Sequence, residues 1–398
     1  MKTYDWIVIG SGITGAALAY ELTKIGFYVL LLDQQLRPEN ATHYSYGGLA
    51  YWSGMTPMTR LLGREAIARH RILSQELDAD TQLRELDLLL TIAADCDPDA
   101  IAASYADCDI PPRLLSIQEA SELEPLLNRQ AIAGALTVKH GHIHPTATVQ
   151  AYIQKFLRLG GEMQISQVLE LQTASNTHIS PLTDGVQFTG VKTTTATFHS
   201  ANIVVCAGGL SRQLLKSAGI MMKLYFSHAE IIQTPPVDLR LHTLIMSAQL
   251  QRLQSETAST QVDELWNEPN NQPVPPILDT GAVQFLDGSL RLGQITRILT
   301  DPYATINPQT SENWLRASIG QVLPALGKLP GTWHHCLVAF SRDHLPLIGA
   351  IPNYEGIHIF SGFSSPLVIV PPLAERFAKF AAGQKDEIIS QLSPNREN

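Results

Sequence analysis

The sequence predicts an α/β protein of two packed domains, on three observations. Residues 4–33 read as strand, tight turn, helix and strand. The 398 residues exceed one simple domain and suit two packed ones. Residues 220–300 read as strand-rich.

Trp6-Ile7-Val8-Ile9 and Tyr28-Val29-Leu30-Leu31-Leu32 are continuous apolar runs, as buried strands are. Between them, Ala16 to Lys24 carries a helical pattern, and Gly26 ends it as a C′ residue. Ala41 to Gly54, rich in Gly, Ser and Tyr, reads as a loop, and Leu61 to Leu77 as a helix. Residues 86–135 mix short strands and helices. A helix from near Pro145 to Leu159 stops at Gly160-Gly161, and short strands follow around Val168 and at Val186 to Val191. Ile203-Val204-Val205-Cys206 is an apolar strand closed by Ala207-Gly208-Gly209. Gln249 to Pro276 is polar and proline-rich and is expected to form a long surface loop. Leu290-Arg291-Leu292 alternates like a half-buried strand, 311–323 reads as a helix, and Ile357 to Phe360 as the last strand. Pro371 to Ala382 is expected to be the terminal helix, with a solvated tail after Gly383.

Composition is that of a globular protein, 44% apolar and 16% charged. A net charge of −9 does not suit a nucleic-acid partner. The four cysteines, at 96, 108, 206 and 336, form no CxxC pair and suit a reducing cytoplasm. The first apolar stretch has no basic leader, so no signal peptide is expected. No run reaches 18 apolar residues, so no membrane span is expected. His140, His142 and His144 alternate and could share a strand face, but no Cys or carboxylate completes a metal pattern; a cleft wall or the surface is expected for them, and no metal.

Gly10-Ser11-Gly12-Ile13-Thr14-Gly15 is a GxGxxG that follows a strand and opens a helix. Gly10 permits the tight turn, Gly12 leaves room for a pyrophosphate, and Gly15 lets the helix pack on the strand. Phosphates then meet free N–H groups at the positive helix end. Asp33 ends the second strand, where it would accept from a ribose hydroxyl. These residues predict a Rossmann-type dinucleotide-binding unit and leave open which dinucleotide it holds.

Three later segments bear on that choice: the loop Ala41-Thr42-His43-Tyr44-Ser45-Tyr46-Gly47-Gly48, the strand Val204-Val205-Cys206-Ala207-Gly208-Gly209, and Asp343-His344-Leu345-Pro346-Leu347-Ile348-Gly349 followed by Ser361-Gly362-Phe363-Ser364. In this order the chain resembles the D-amino-acid oxidase superfamily of FAD enzymes, to which glycine oxidase and monomeric sarcosine oxidase belong. The resemblance spans nearly the whole chain, is specific at its two ends, and is weak at 86–135 and 220–285. It implies FAD, held non-covalently, in a domain assembled from residues 1–81, 141–217 and 336–398. It also implies a substrate domain of α+β type, residues 82–140 and 218–335, whose mixed sheet covers the flavin ring. The cofactor contacts it implies, with those of the glycine motif, are Gly10, Gly12, Ile13, Thr14, Gly15, Asp33, Gln34, Thr42, His43, Gly47, Gly48, Leu49, Val168, Ala207 and Gly208. Gly362, Phe363, Ser364, Ser365, Pro366 and Leu367 would lie along the flavin's pyrimidine edge, where a helix N-terminus stabilises negative charge.

The resemblance also assigns roles that this sequence fills unevenly. Arg291 stands where sarcosine oxidase-like members place a lysine over the flavin; the plain reading is a solvated or ion-paired strand residue. Cys336 has the spacing of a cysteine that carries covalent flavin in such members; the plain reading is a buried structural thiol. The arginine that binds a substrate carboxylate in relatives is here Val338, and the alternative lysine is Ile369. Arg342 is a nearby substitute. Leu367 stands in Ser365-Pro366-Leu367, which replaces a usual Gly-Gly or His-Gly and would crowd the pocket. The expected activity is oxidation of the C–N bond of a small amine or amino acid, by hydride transfer to the flavin and imine hydrolysis. Oxygen or another acceptor would then take the electrons. A flavin-binding protein with lost or altered turnover and a hydroxylase-type flavoprotein are the alternatives. The second lacks its Gly-Asp pair, since only Asp184-Gly185 and Asp287-Gly288 occur.

Overall fold

The computed structural model describes residues 2–174, 186–249 and 251–397 and contains two large sheets. Asp184-Gly185 lies outside the described residues. The first sheet runs in the order Leu347–Ala350, Ile357–Ser361, Thr197–Val205, Thr3–Ile9, Val29–Asp33, Glu162–Ile165. Neighbours along this path are parallel except the first pair, and Val186–Thr193 joins Thr197–Val205 antiparallel off it. Its central strands, Thr3–Ile9, Val29–Asp33 and the end of Thr197–Val205, are buried on both faces, which is why they read as unbroken apolar runs. Trp6, Val8, Leu31 and Val204 pack under the helices Ile13–Lys24, Pro145–Arg158 and Pro366–Ala381. Ile7, Ile9, Leu30, Leu32, Ile203 and Val205 face Phe188 and Val191 of the antiparallel strand Val186–Thr193 and Leu215 of the helix Ser211–Ser217.

The second sheet runs Thr332–Ser341, Leu224–Gln233, Leu290–Arg297, Ile277–Gln284, Leu244–Ser247, Arg84–Ala93, Ile132–His142, Gly48–Leu49. It is antiparallel except between Leu244–Ser247 and Arg84–Ala93. Leu290, Leu292 and Ile295 on its outer face pack on Leu315 and Ile319 of the helix Pro308–Val322. Its inner face looks onto the first domain, where Ala229, Ile231 and Cys336 meet Tyr44. The mixed two-sheet α/β architecture is therefore the one the sequence predicts. Thr332–Ser341 lies wholly in the second sheet, so a division of the chain at 335/336 falls inside a strand.

Four expectations need correction. The stretch read as a long surface loop contains the helix Gln251–Ser259 and a 3-10 segment, Thr260–Asn267. Its hidden face is polar, with Ser255, Glu256, Ser259 and Thr260 buried, so apolar periodicity does not announce it. The loop at 41–54 includes a turn of helix, Ala41–Tyr44, capped by the Asn40 side chain, and the edge strand Gly48–Leu49. The tail after Gly383 is not all solvated: it forms the helix Glu387–Gln391, and Ile389 and Leu392 enter the first core. The terminal helix begins at Pro366, so Pro371 and Pro372 lie inside it.

Prolines inside a helix remove N–H donors. Pro371 leaves the Leu367 carbonyl, four residues earlier, without its helical partner. His70, from the helix Pro57–Leu77, supplies one: its Nε2 lies 2.8 Å from that oxygen. A carbonyl only accepts, so Nε2 carries the hydrogen. Burial pulls the His70 pKa down to about 4, which keeps the ring neutral and its tautomer fixed at neutral pH. No helix among the described residues is long and apolar enough to cross a membrane.

Candidate active site

A cavity of about 450 Å³ opens at the carboxyl ends of Thr3–Ile9, Val29–Asp33 and Thr197–Val205. Open α/β sheets bind ligands at this end. Gly10, Gly12, Ile13 and Thr14 form one part of its wall, Asp33 and Gln34 another, with Thr42, Val168, Ala207 and Gly208 beside them. Gly362, Phe363 and Pro366 close the far end, together with Val338 from the second sheet.

The glycine turn is built as its spacing requires. Gly10 has φ +102°, and a Cβ there would lie 2.5 Å from the Cys206 carbonyl oxygen. A Cβ on Gly15 would lie 1.8 Å from the Gly10 oxygen, so strand and helix touch through backbone alone. Gly12 is different. Its neighbours within 4 Å are only the Thr42 hydroxyl and the Asn40 amide, across the cavity mouth. No side chain of its own caps the helix, and the Thr42 hydroxyl takes the Ile13 N–H at 3.1 Å. Asp33 Oδ2 accepts from both the N–H and the hydroxyl of Ser11 at 2.7 Å, and Oδ1 from Gln35 N–H. Each carboxylate oxygen has room for a further donor, such as a ribose hydroxyl. An open cradle at Gly12, a helix N-terminus and an acceptor at Asp33 fit a dinucleotide.

Other expected contacts stand back from the cavity. Gly47 and Gly48 cross His142 and His140: added Cβ atoms would lie 3.2 Å and 2.7 Å from the two Nε2 atoms. Leu49 is buried in the first core. His43 Nδ1 is 3.3 Å from the Thr146 hydroxyl, and burial followed by the Arg291 charge lowers its pKa. The Ser364 carbonyl accepts from Arg252 at 3.0 Å, and Ser365 is the exposed N-cap of the last long helix.

The histidine triplet divides. Buried His140 accepts from Trp52 Nε1 at 3.0 Å, and buried His142 lies 3.1 Å from Arg84 Nη2. His144 caps the helix Pro145–Arg158. None lines the cavity, which corrects the cleft-or-surface expectation for the two buried rings.

Arg291 is neither solvated nor ion-paired among the described residues. It is 5% exposed, donates to the Ser45 carbonyl, and lies over the Phe285 ring at 4.6 Å. Burial lowers its pKa to about 10, which still leaves a cation at neutral pH. Cys336 is buried beside it, and burial raises its thiol to about 12. A thiol so placed offers almost no thiolate for attack on a flavin. Acid precipitation of the holoprotein is therefore expected to release all flavin into the supernatant. Flavin retained in the pellet of wild type but not of Cys336→Ser would overturn this.

The pocket residues also need correction. Val338 lines the cavity as an apolar wall. Leu367 and Ile369 do not; they belong to the helix Pro366–Ala381 and pack against the first core. Arg342 is exposed, because Ser341 ends the strand with a buried side chain and the chain turns there. It stands near Tyr225, outside the cavity wall. The sequence reading missed Asn40, Ser166, Gln167, Gln213 and Leu337, which line the cavity. Asn40 alone had a signal, as an N-cap three residues before His43.

The family described as FAD dependent oxidoreductase (DAO) matches residues 5–379. The uncharacterized oxidoreductase YurR of Bacillus subtilis (strain 168) is 25% identical over 419 residues, covering 99% of this chain and 98% of its own. Monomeric sarcosine oxidase of Streptomyces avermitilis is 29% identical over 229 residues, 55% of each chain. The crystal structure of glycine oxidase from Geobacillus kaustophilus superposes with a TM-score of 0.77 at 18% identity, covering 100% of this chain and 99% of that one. The chain belongs to the DAO family of FAD-dependent oxidoreductases.

Proposed function

We propose that this protein oxidises the C–N bond of a small amine or amino acid. The observation that carries the reading is the cavity, which runs from the Asp33 acceptor to a wall, Val338, contributed by the second sheet. The glycine and sarcosine oxidase relatives support it. FAD, when bound, supplies a two-electron acceptor for the hydride on the carbon that bears the amine.

The chain's residues have distinct tasks in this reading. Gly12, Ile13, Thr14 and Thr42 hold the pyrophosphate, Asp33 and Gln34 the ribose, and Val168 the adenine side. Ala207 and Gly208 flank the middle of the cofactor, and Gly362 to Pro366 meet the flavin's pyrimidine edge. Arg291 holds a fixed positive charge under the loop that carries His43, where it would stabilise negative charge on the cofactor. The second sheet excludes water from the ring face, which strengthens these interactions.

A screen of amines, N-methyl amines and amino acids without oxygen tests the reading. At least one class is expected to bleach the visible flavin band. Bleaching by dithionite but by none of these compounds would defeat it.

A further inference from the structure

We propose that Asp279 receives the substrate's amine, pairing with its ammonium form and accepting its proton, and that the substrate carries no carboxylate beside that amine. The proposal rests on the amine-oxidising reading above and names its substrate class.

The strand Ile277–Gln284 sets where Asp279 points. Leu278 packs against the outer core, and the Thr280 hydroxyl lies 2.6 Å from Ser318 on the outer helix. Strand alternation then puts Asp279 on the inner face. A register shift between Leu278 and Gly281 falls at this point, and such bulges re-aim side chains beside sites.

Three elements meet Asp279 there. The helix Gln251–Ser259 brings Arg252, whose backbone N–H and charge both lie near the carboxylate. The loop after Asn40 brings Tyr46, and the turn after the helix Pro98–Ala103 brings Tyr105. The Tyr105 hydroxyl is committed to the Ala248 carbonyl at 2.7 Å. The Arg252 side chain is committed to the Ser364 carbonyl at 3.0 Å and to Glu256 at 3.2 Å. Through Ser364 this place adjoins Phe363 and Gly362 in the cavity wall.

Asp279 Oδ1 and the Tyr46 hydroxyl are buried and have no hydrogen-bond partner among the described residues; Arg252 Nε, ion-paired but not hydrogen-bonded, and Glu256 Oε2 share that state. The Tyr46 oxygen stands over Gly293, 3.3 Å from where a Cβ would be. Gly293 pairs with Gly281, two residues from Asp279. The missing Cβ at Gly293 lets the Tyr46 hydroxyl approach the sheet closely here. Buried polar groups without partners call for one. An ammonium has three donors and no acceptor, so it satisfies both oxygens at once.

The surroundings disfavour an amino acid. Val338 gives the cavity an apolar wall, and Arg252 is already paired with a fully buried carboxylate, Glu256. A substrate carboxylate would stand beside Asp279 as a like charge. Burial raises the Asp279 pKa to about 6, against the pull of Arg252. At neutral pH the group is thus a carboxylate of raised basicity. One N–H bond of the ammonium breaks, an O–H bond forms on Asp279, and the amine is left neutral with its lone pair free.

The test is anaerobic flavin reduction in the FAD-loaded full chain, wild type and Asp279→Asn. The probes are benzylamine and N-methylbutylamine against glycine, sarcosine and D-alanine. The amines are expected to exceed the amino acids in specificity by about tenfold or more. The wild-type rate is expected to fall as pH drops through about 6. Asp279→Asn is expected to lose roughly a hundredfold in rate and that acidic limb, while keeping FAD and its spectrum. Asp279→Glu is expected to restore part of both. An Asp279→Asn protein with the wild-type rate and pH profile overturns the proposal, as does preference for the amino acids. If no probe reduces wild type while dithionite does, the amine-oxidising reading itself falls. Amino acids that reduce wild type and Asp279→Asn alike remove this inference alone.

Discussion

Gly12→Val is expected to yield a folded protein that does not hold FAD. Gly12 has φ −64° and ψ −175°, which valine adopts without strain. A Cβ there would meet only the side chains of Thr42 and Asn40, at 3.3 and 3.6 Å. The new methyl groups enter the cavity where the pyrophosphate would cross, and FAD affinity should fall by about a hundredfold or more, close to 3 kcal/mol. Gly15→Ala separates this effect from folding. Its Cβ collides with the Gly10 carbonyl oxygen, so the strand and the helix must part. A loss of about 4 kcal/mol or more is expected there. Flavin-to-protein ratios and melting of the two apoproteins measure the contrast. Gly12→Val protein that binds FAD like wild type would remove the pyrophosphate from this turn.

Arg69→Ala is expected to cost about 3–5 kcal/mol, the range for breaking a buried ion pair from one side. Arg69 ties three helices together. It pairs with Glu21 of Ile13–Lys24 at 2.5 Å, with Glu76 of its own helix, and at 3.5 Å with Glu375 of Pro366–Ala381. Its side chain is 9% exposed and that of Glu21 2%. Without the guanidinium, Glu21 keeps only Lys24 at 3.4 Å among the described residues. The double variant Arg69→Met, Glu21→Leu should recover most of the loss, since a filled apolar core replaces the pair.

The same network sets acid sensitivity. Burial works against ionisation of Glu76, but its bonds from Arg69, Lys24 and Tyr20 win and hold its pKa near about 2, below the ordinary 4.5. The stabilisation is complete above pH 4.5 and is lost as pH falls toward about 2. Glu21 shifts the other way: burial raises it, and Arg69 only opposes that rise. Denaturant midpoints across this acid window should therefore fall less steeply in Arg69→Ala than in wild type.

Sequence reading succeeded where the constraint is local. The turn at Gly10, Gly12 and Gly15 is dictated by contacts within a few residues and one neighbouring strand, so spacing alone reports it. It failed where burial is polar. The helix Gln251–Ser259 hides Ser255, Glu256 and Ser259, and a pattern sought in apolar residues does not see it. Asp279 was invisible for a related reason: its meaning depends on a bulge and on three elements distant in sequence. Arg342 misled because nearness to Val338 along the chain ignores where the strand stops. Pro371-Pro372 misled because paired prolines ordinarily mark a helix start.

Those two prolines have a mechanical consequence. The first turn of the last long helix, which lines the cavity through Pro366, is not secured only by the turn that follows it. It is pinned sideways, by an imidazole 297 residues away in the chain. The pocket's end wall is thus set by a residue with no place in the pocket. A change at His70 made for packing would act as a change of cavity shape, and any account of specificity drawn from lining residues alone would miss its cause.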